Sequence, residues 1–156
     1  MKRSALVILF MLFLAVNSQA EQWRGIVPLH STRADVERIL GPASDICKCS
    51  YYSEDAKVSV VYSSGDCKKG GSGDWDIPPD TVIRFSVYPK LHPRLTALKI
   101  DVNKFKMEED PELPGIFSYF DKEGGFGMTV ENGLVRDFFY EPAAKDKLLR
   151  CPGSRA

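Results

Sequence analysis

The chain has 156 residues, 44% of them hydrophobic, with 21 basic and 21 acidic side chains and a formal net charge of zero. Balanced charge without a Lys/Arg stripe argues against a nucleic-acid binder or a protein held on an anionic membrane surface. The four cysteines, Cys47, Cys49, Cys67 and Cys151, are an even count, which in an exported protein reads as two disulfides with three possible connectivities.

The N-terminus reads as an address. Lys2 and Arg3 precede an apolar run over 5–16, and Ser18-Gln19-Ala20 offers a small-residue cleavage site before Glu21. That run is 12 residues long, short of the ~20 needed to span a bilayer, so 1–20 is expected to be a cleaved secretory signal. No cysteine stands at the cleavage point to take a lipid anchor, and with the run cleaved no transmembrane span is expected in the mature chain. Two of the basic residues lie in the signal, leaving 136 residues of net charge −2, the size of one domain, 21–156.

Residues 32–40 predict a helix. Thr32 is placed to N-cap, Asp35 to complete a capping box, and Val36, Ile39 and Leu40 to form an apolar stripe ended by Gly41-Pro42. Two strands follow over 47–52 and 57–62, joined at Glu54-Asp55. In that register Tyr51 faces Val58 and Cys49 faces Val60. Cys47 and Cys49, two apart on a strand, would share a face, and a bridge between them would be strained. Each is therefore expected to pair with Cys67 or Cys151, tying the C-terminus to the first hairpin. Zinc is the competing reading of the thiols, disfavoured by the Cys-x-Cys spacing.

Residues 63–80 are rich in Gly, Ser and Pro and form a long loop, and 81–88 alternate like a third strand stopped by Pro89. The segment 95–105 fits helix and strand patterns equally, and Glu108-Glu109-Asp110 reads as a solvated turn. A short strand is expected over 116–120. Asn132-Gly133 between 125–131 and 134–140 is a strong hairpin signal, because a type I′ turn needs two residues tolerant of positive φ. Pairing Glu131 with Leu134 puts Val130 opposite Val135 and Phe126 opposite Phe139, leaving Phe138 and Tyr140 on the other face. The expected fold is α+β: one short N-terminal helix packed on an antiparallel sheet built from hairpins, disulfide-bonded.

From Gly25 through Thr32-Arg33-Ala34-Asp35-Val36 to Leu40-Gly41-Pro42, the chain resembles bacterial envelope proteins of the SmpA/OmlA (BamE-like) type and the β-lactamase-inhibitor-like fold group. Both share a capped helix followed by a hairpin. The resemblance covers 25–62 and implies that fold and an envelope location. It departs in lacking the lipobox Cys and in placing His30 where a glycine usually stands. Tyr62 to Cys67, Trp75 to Pro79 and Leu149 to Cys151 are also similar to segments of uncharacterised secreted bacterial proteins.

No catalytic constellation emerges. His30 and His92 are far apart, with no Gly-x-Ser-x-Gly elbow and no His-x-x-x-His pair. Asp74, Asp76 and Asp80 lack the spacing of a Ca²⁺ loop. Gly124, Gly125 and Gly127 lack the Lys-Ser/Thr of a phosphate loop. The expectation is a secreted or periplasmic, non-enzymatic module without a cofactor that binds an envelope protein. Its sheet edges, Trp75 and the apolar residues Phe138 and Tyr140 would form the interface. The alternative is a small hydrolase or ligand-binding protein whose site gathers His30, Asp74 and Asp76.

Overall fold

A computed structural model describes residues 22–65, 67 and 75–152. The proposed signal over 1–20 and Asp74 lie outside them. The described residues build one α-helix, α1 (Arg33–Leu40), and seven strands. These are β1 (Ser50–Tyr52), β2 (Ala56–Tyr62), β3 (Val82–Pro89), β4 (Lys106–Glu109), β5 (Ile116–Asp121), β6 (Phe126–Glu131) and β7 (Leu134–Tyr140). All seven form a single antiparallel sheet in the order β1-β2-β3-β7-β6-β5-β4. Among the described residues, three 3₁₀ turns, Leu95–Ala97, Val102–Lys104 and Ala144–Leu149, supply the remaining helical structure, so the sheet dominates this part of the chain.

The helix starts as its sequence dictates. Thr32 Oγ1 accepts the Asp35 N–H at 3.3 Å, and Asp35 Oδ2 accepts the Thr32 N–H at 2.9 Å, closing the capping box. Gly41 ends the helix at φ 84°, a value that favours glycine. With only eight residues, α1 depends on packing, and Val36 supplies it by entering the main core with Tyr51, Val58, Val60 and Phe85.

One sheet face carries that core. Register places Val58 beside Val87, Val60 beside Phe85, Phe85 beside Tyr140 and Tyr140 beside Phe126. Phe85 and Tyr140 stack with centroids 4.5 Å apart. Leu95, Leu98, Ile100 and Phe105 pack onto the same core from the first 3₁₀ turn and the residues around the two turns, so 95–105 is neither the helix nor the strand its pattern offered.

The hairpin at Asn132-Gly133 forms as expected, with φ 52° and 73° and Glu131 opposite Leu134. Its far end corrects the sequence reading. A bulge leaves Arg136 unpaired between Val135 and Asp137, so Phe126 pairs with Tyr140 instead of Phe139. Phe138 and Tyr140 therefore face the core, and Phe139 takes the opposite side. A second correction is β4. Lys106, Met107, Glu108 and Glu109 are all exposed, so no alternation announced a strand, yet they pair with Phe117 through Phe120 at the sheet edge.

The other edge, β1, is partly shielded by its own preceding loop. The carbonyl of Cys49 accepts the Val60 N–H, which turns the N–H and C=O of Ser50 away from β2. Both of those groups are taken: Asp45 Oδ1 accepts the N–H at 3.1 Å, and the Ser44 N–H donates to the C=O at 2.8 Å.

A smaller core of Leu29, Trp75, Ile77 and Ile83, with Leu149 against it, closes the end of the molecule. Cys67–Cys151 fastens this region across 84 positions, with Cα atoms 5.4 Å apart. The Asp76 N–H donates to the Leu149 carbonyl at 2.7 Å, joining the loop to the C-terminal segment.

Candidate functional site

The face that carries the core is not covered along its whole length. An open cleft of about 290 Å³ lies between Trp23 and the strand residues Val87, Pro89, Phe126, Phe138 and Tyr140, with Asp55 on its rim. Trp23 is held there by a tight turn. Arg24 and Gly25 both have positive φ, 52° and 85°, and the Trp23 and Ile26 backbones bond reciprocally at 3.3 and 2.9 Å. The Arg24 guanidinium sits 4.7 Å over the Trp23 ring and forms an ion pair with Asp55 at 2.8 Å.

A second cleft of about 380 Å³ adjoins the first and shares Phe126 and Tyr140 with it; Lys99, Lys104, Asp101 and Asp121 rim it. The rings of Phe126 and Tyr140, with centroids 5.2 Å apart, form the boundary between the two. The result is an aromatic floor with charged margins, suited to an apolar group whose polar flanks stay in water.

The opposite face is mixed. A depression of about 400 Å³ there includes Ser59, Val61, Arg84, Ser86, Phe139 and Glu141, with Arg84 and Glu141 3.7 Å apart. Asp137 also lies on this side. Partial burial pushes its carboxyl above the usual range, opposed by the Thr129 hydroxyl, which donates to it at 3.3 Å.

The anticipated interface residues fare differently. Trp75 is only 9% exposed and belongs to the smaller core, with the Arg150 guanidinium 4.7 Å over its ring. It therefore offers no free ring to a partner, which corrects its expected role. Phe138 and Tyr140 do not lie on a second apolar face, because the bulge at Arg136 turns them to the core side, where they line the 290 Å³ cleft. Trp23 was not singled out in the sequence; its signal was the Arg24-Gly25 turn.

Of the residues named for the hydrolase alternative, Asp74 lies outside the described residues, and His30 and Asp76 make no hydrogen bond or ion pair with each other among them. His30 Nε2 approaches Asp146 Oδ1 at 3.9 Å, but the other oxygen of Asp146 already caps the Ala143 N–H at 2.9 Å. The Ser31 hydroxyl accepts the Val27 N–H at 2.9 Å. His92 Nδ1 lies 3.1 Å from the Val135 carbonyl oxygen. Asp80 pairs with Arg33 at 2.8 Å.

The cysteines also overturn an expectation. Cys47 bonds Cys49, and Cys67 bonds Cys151. Residues 47–49 are a turn and not a strand. Lys48 adopts φ 52°, which brings the flanking side chains to one side with Cα atoms 5.3 Å apart. Asp45 joins them: its Oδ2 lies 3.2 Å from Cys47 Sγ and 3.4 Å from Cys49 Sγ. These three side chains are the one metal-like cluster among the described residues, and its sulfurs are bonded to each other.

No protein-family model, curated protein or solved structure matches this chain. Among the described residues, no helix is long and apolar enough to cross a membrane. The two disulfides are compatible with a periplasmic or extracellular setting.

Proposed function

We propose that this protein is an exported, non-enzymatic binding module that receives apolar side chains of an envelope protein in the aromatic cleft. The observation that carries this reading is the cleft of Trp23, Val87, Pro89, Phe126, Phe138 and Tyr140, apolar at its floor and open to solvent. An open cleft of about 290 Å³ accommodates a projecting side chain of a protein partner better than it encloses a free ligand, which typically buries ~70–90% of its surface. The Arg24–Asp55 ion pair at the rim supplies polar groups where a partner's backbone would run. The signal-like N-terminus, the oxidised cysteines and the resemblance of 25–62 to SmpA/OmlA envelope proteins support an envelope location.

The test is site-specific photo-cross-linking in living cells. A benzophenone side chain replaces Trp23 in one variant and Lys57, on the opposite sheet face, in another. A discrete adduct from position 23 and none from position 57 is the expected result. Adducts from position 57 alone, or none from either, would remove the cleft as the binding surface.

A further inference from the structure

Cys47 and Cys49 close a ring around a single intervening residue, whereas Cys67 and Cys151 join positions 84 apart. A loop that short takes little entropy from the unfolded chain, so the Cys47–Cys49 bridge contributes little to holding the fold. The turn is held by other means. Asp45 Oδ1 accepts the N–H of Cys49 at 2.9 Å and of Ser50 at 3.1 Å. The Lys48 carbonyl accepts the Tyr51 hydroxyl at 3.2 Å and the Arg33 guanidinium. Arg33 is in turn fixed over the Tyr62 ring at 4.0 Å and by Asp80 at 2.8 Å. None of these bonds involves sulfur, so opening the bridge breaks none of them directly.

Access and chemistry point the same way. Cys47 is exposed, Cys49 is half-buried, and Ile46 beside them stands fully in solvent. The carboxylate oxygen of Asp45 that lies 3.2 and 3.4 Å from the sulfurs has no S–H to accept while they are bonded. After reduction it accepts one, which stabilises the dithiol and makes the disulfide the stronger oxidant.

We infer that Cys47–Cys49 is a reversible two-electron redox site that exchanges with a dithiol. A thiolate of that dithiol attacks the exposed Cys47 Sγ. The Cys47–Cys49 bond breaks, and its electron pair leaves on Cys49 Sγ, which takes up a proton beside Asp45. The second thiolate of the dithiol then attacks its own partner sulfur and displaces Cys47 as a thiolate, which takes the second proton. The dithiol becomes a disulfide, and its two electrons and two protons end on Cys47 and Cys49.

The experiment equilibrates the oxidised protein with graded dithiothreitol, traps free thiols by alkylation and maps all four cysteines by mass spectrometry. Cys47 and Cys49 should open at a reductant concentration roughly 100-fold below that needed for Cys67 and Cys151, with the near-UV circular dichroism unchanged. Simultaneous opening of both bridges, or opening only with loss of tertiary signal, would overturn the inference. A second arm offers a Cys-x-x-Ser peptide, carried as its thiopyridyl disulfide, to the Cys49→Ser and Cys47→Ser variants, whose remaining thiolate displaces thiopyridone. Trapping as a mixed disulfide on Cys47 and far less on Cys49 supports the assigned order of attack, and equal or no trapping refutes it. In Asp45→Asn the bridge should resist reduction about tenfold more than in the wild type; an unchanged midpoint would remove Asp45 from the mechanism.

Discussion

The ring of Phe139 lies across Gly127 on the neighbouring strand, where a side chain at that glycine would have to be. A Cβ at Gly127 would stand 2.1 and 2.2 Å from Phe139 ring atoms and 2.7 Å from the Tyr119 carbonyl oxygen. Phe120, whose ring centroid is 5.7 Å from that of Phe139, flanks the glycine from the other side. Gly127→Ala should therefore destabilise the sheet by ~1–3 kcal/mol in chemical denaturation. Shortening Phe139 to Leu in the same chain should recover only part of that loss, because the Tyr119 carbonyl is backbone and does not swing away.

The helix cap carries an acid-dependent contribution to stability. The Thr32 N–H, followed by Arg38, which donates at 2.9 Å, and the Thr32 hydroxyl, holds Asp35 down to about 2. A carboxyl depressed in the folded state stabilises above its unfolded value of roughly 4, and that stabilisation fades as pH falls toward 2. Wild type should thus melt higher than Asp35→Ala at pH 6, and the gap should close between about pH 4 and 2. Thermal melts of both proteins across this range check the sign. Thr32→Ala should cost ~1 kcal/mol at neutral pH.

Asp137 works in the opposite sense. Its carboxyl is raised by partial burial, so the folded chain holds that proton more tightly than the unfolded chain does. The resulting stabilisation is complete below the unfolded carboxylate range and is lost as pH rises through the folded value. Asp137→Asn keeps an acceptor for the Thr129 hydroxyl and removes the buried charge. It should raise the melting temperature by a few degrees at pH 7 and leave it unchanged near pH 3, as a pair of melting curves would show.

Trp75 is a core residue, and its loss should appear as instability. Trp75→Ala empties the cluster of Leu29, Ile77 and Ile83 and should cost ~3–5 kcal/mol in denaturant titration. A variant as stable as wild type would mean that the smaller core does not depend on this ring.

Local signals were readable where one residue type has one physical use. Thr32 and Asp35 could close a box, Asn132-Gly133 could make a type I′ turn, and both did so. The pairing of Tyr51 with Val58 followed from the position of a short turn. What escaped was irregularity. A bulge costs one residue and has no composition of its own at Arg136, yet it exchanged the faces of Phe138, Phe139 and Tyr140. Lys106–Glu109 is exposed on both sides, so its pairing left no periodic trace. The turn at Lys48 looked like strand because Cys-Lys-Cys alternates, and its positive φ comes with a contact from a residue distant in sequence, Arg33, that no local pattern announces. The cleft follows the same division. Phe138 and Tyr140 stood out as apolar residues, but only the fold brings Trp23 across from them.

The two borders of the sheet bear on how copies of this chain behave when crowded. An unprotected border invites a neighbouring molecule to lay down one more strand, and repetition of that step builds fibres. Here the loop around Asp45 already fills the hydrogen-bonding positions of Ser50, and Lys106, Glu108 and Glu109 put charge along the far border. Both borders are thereby made poor templates for one more strand from a neighbouring copy.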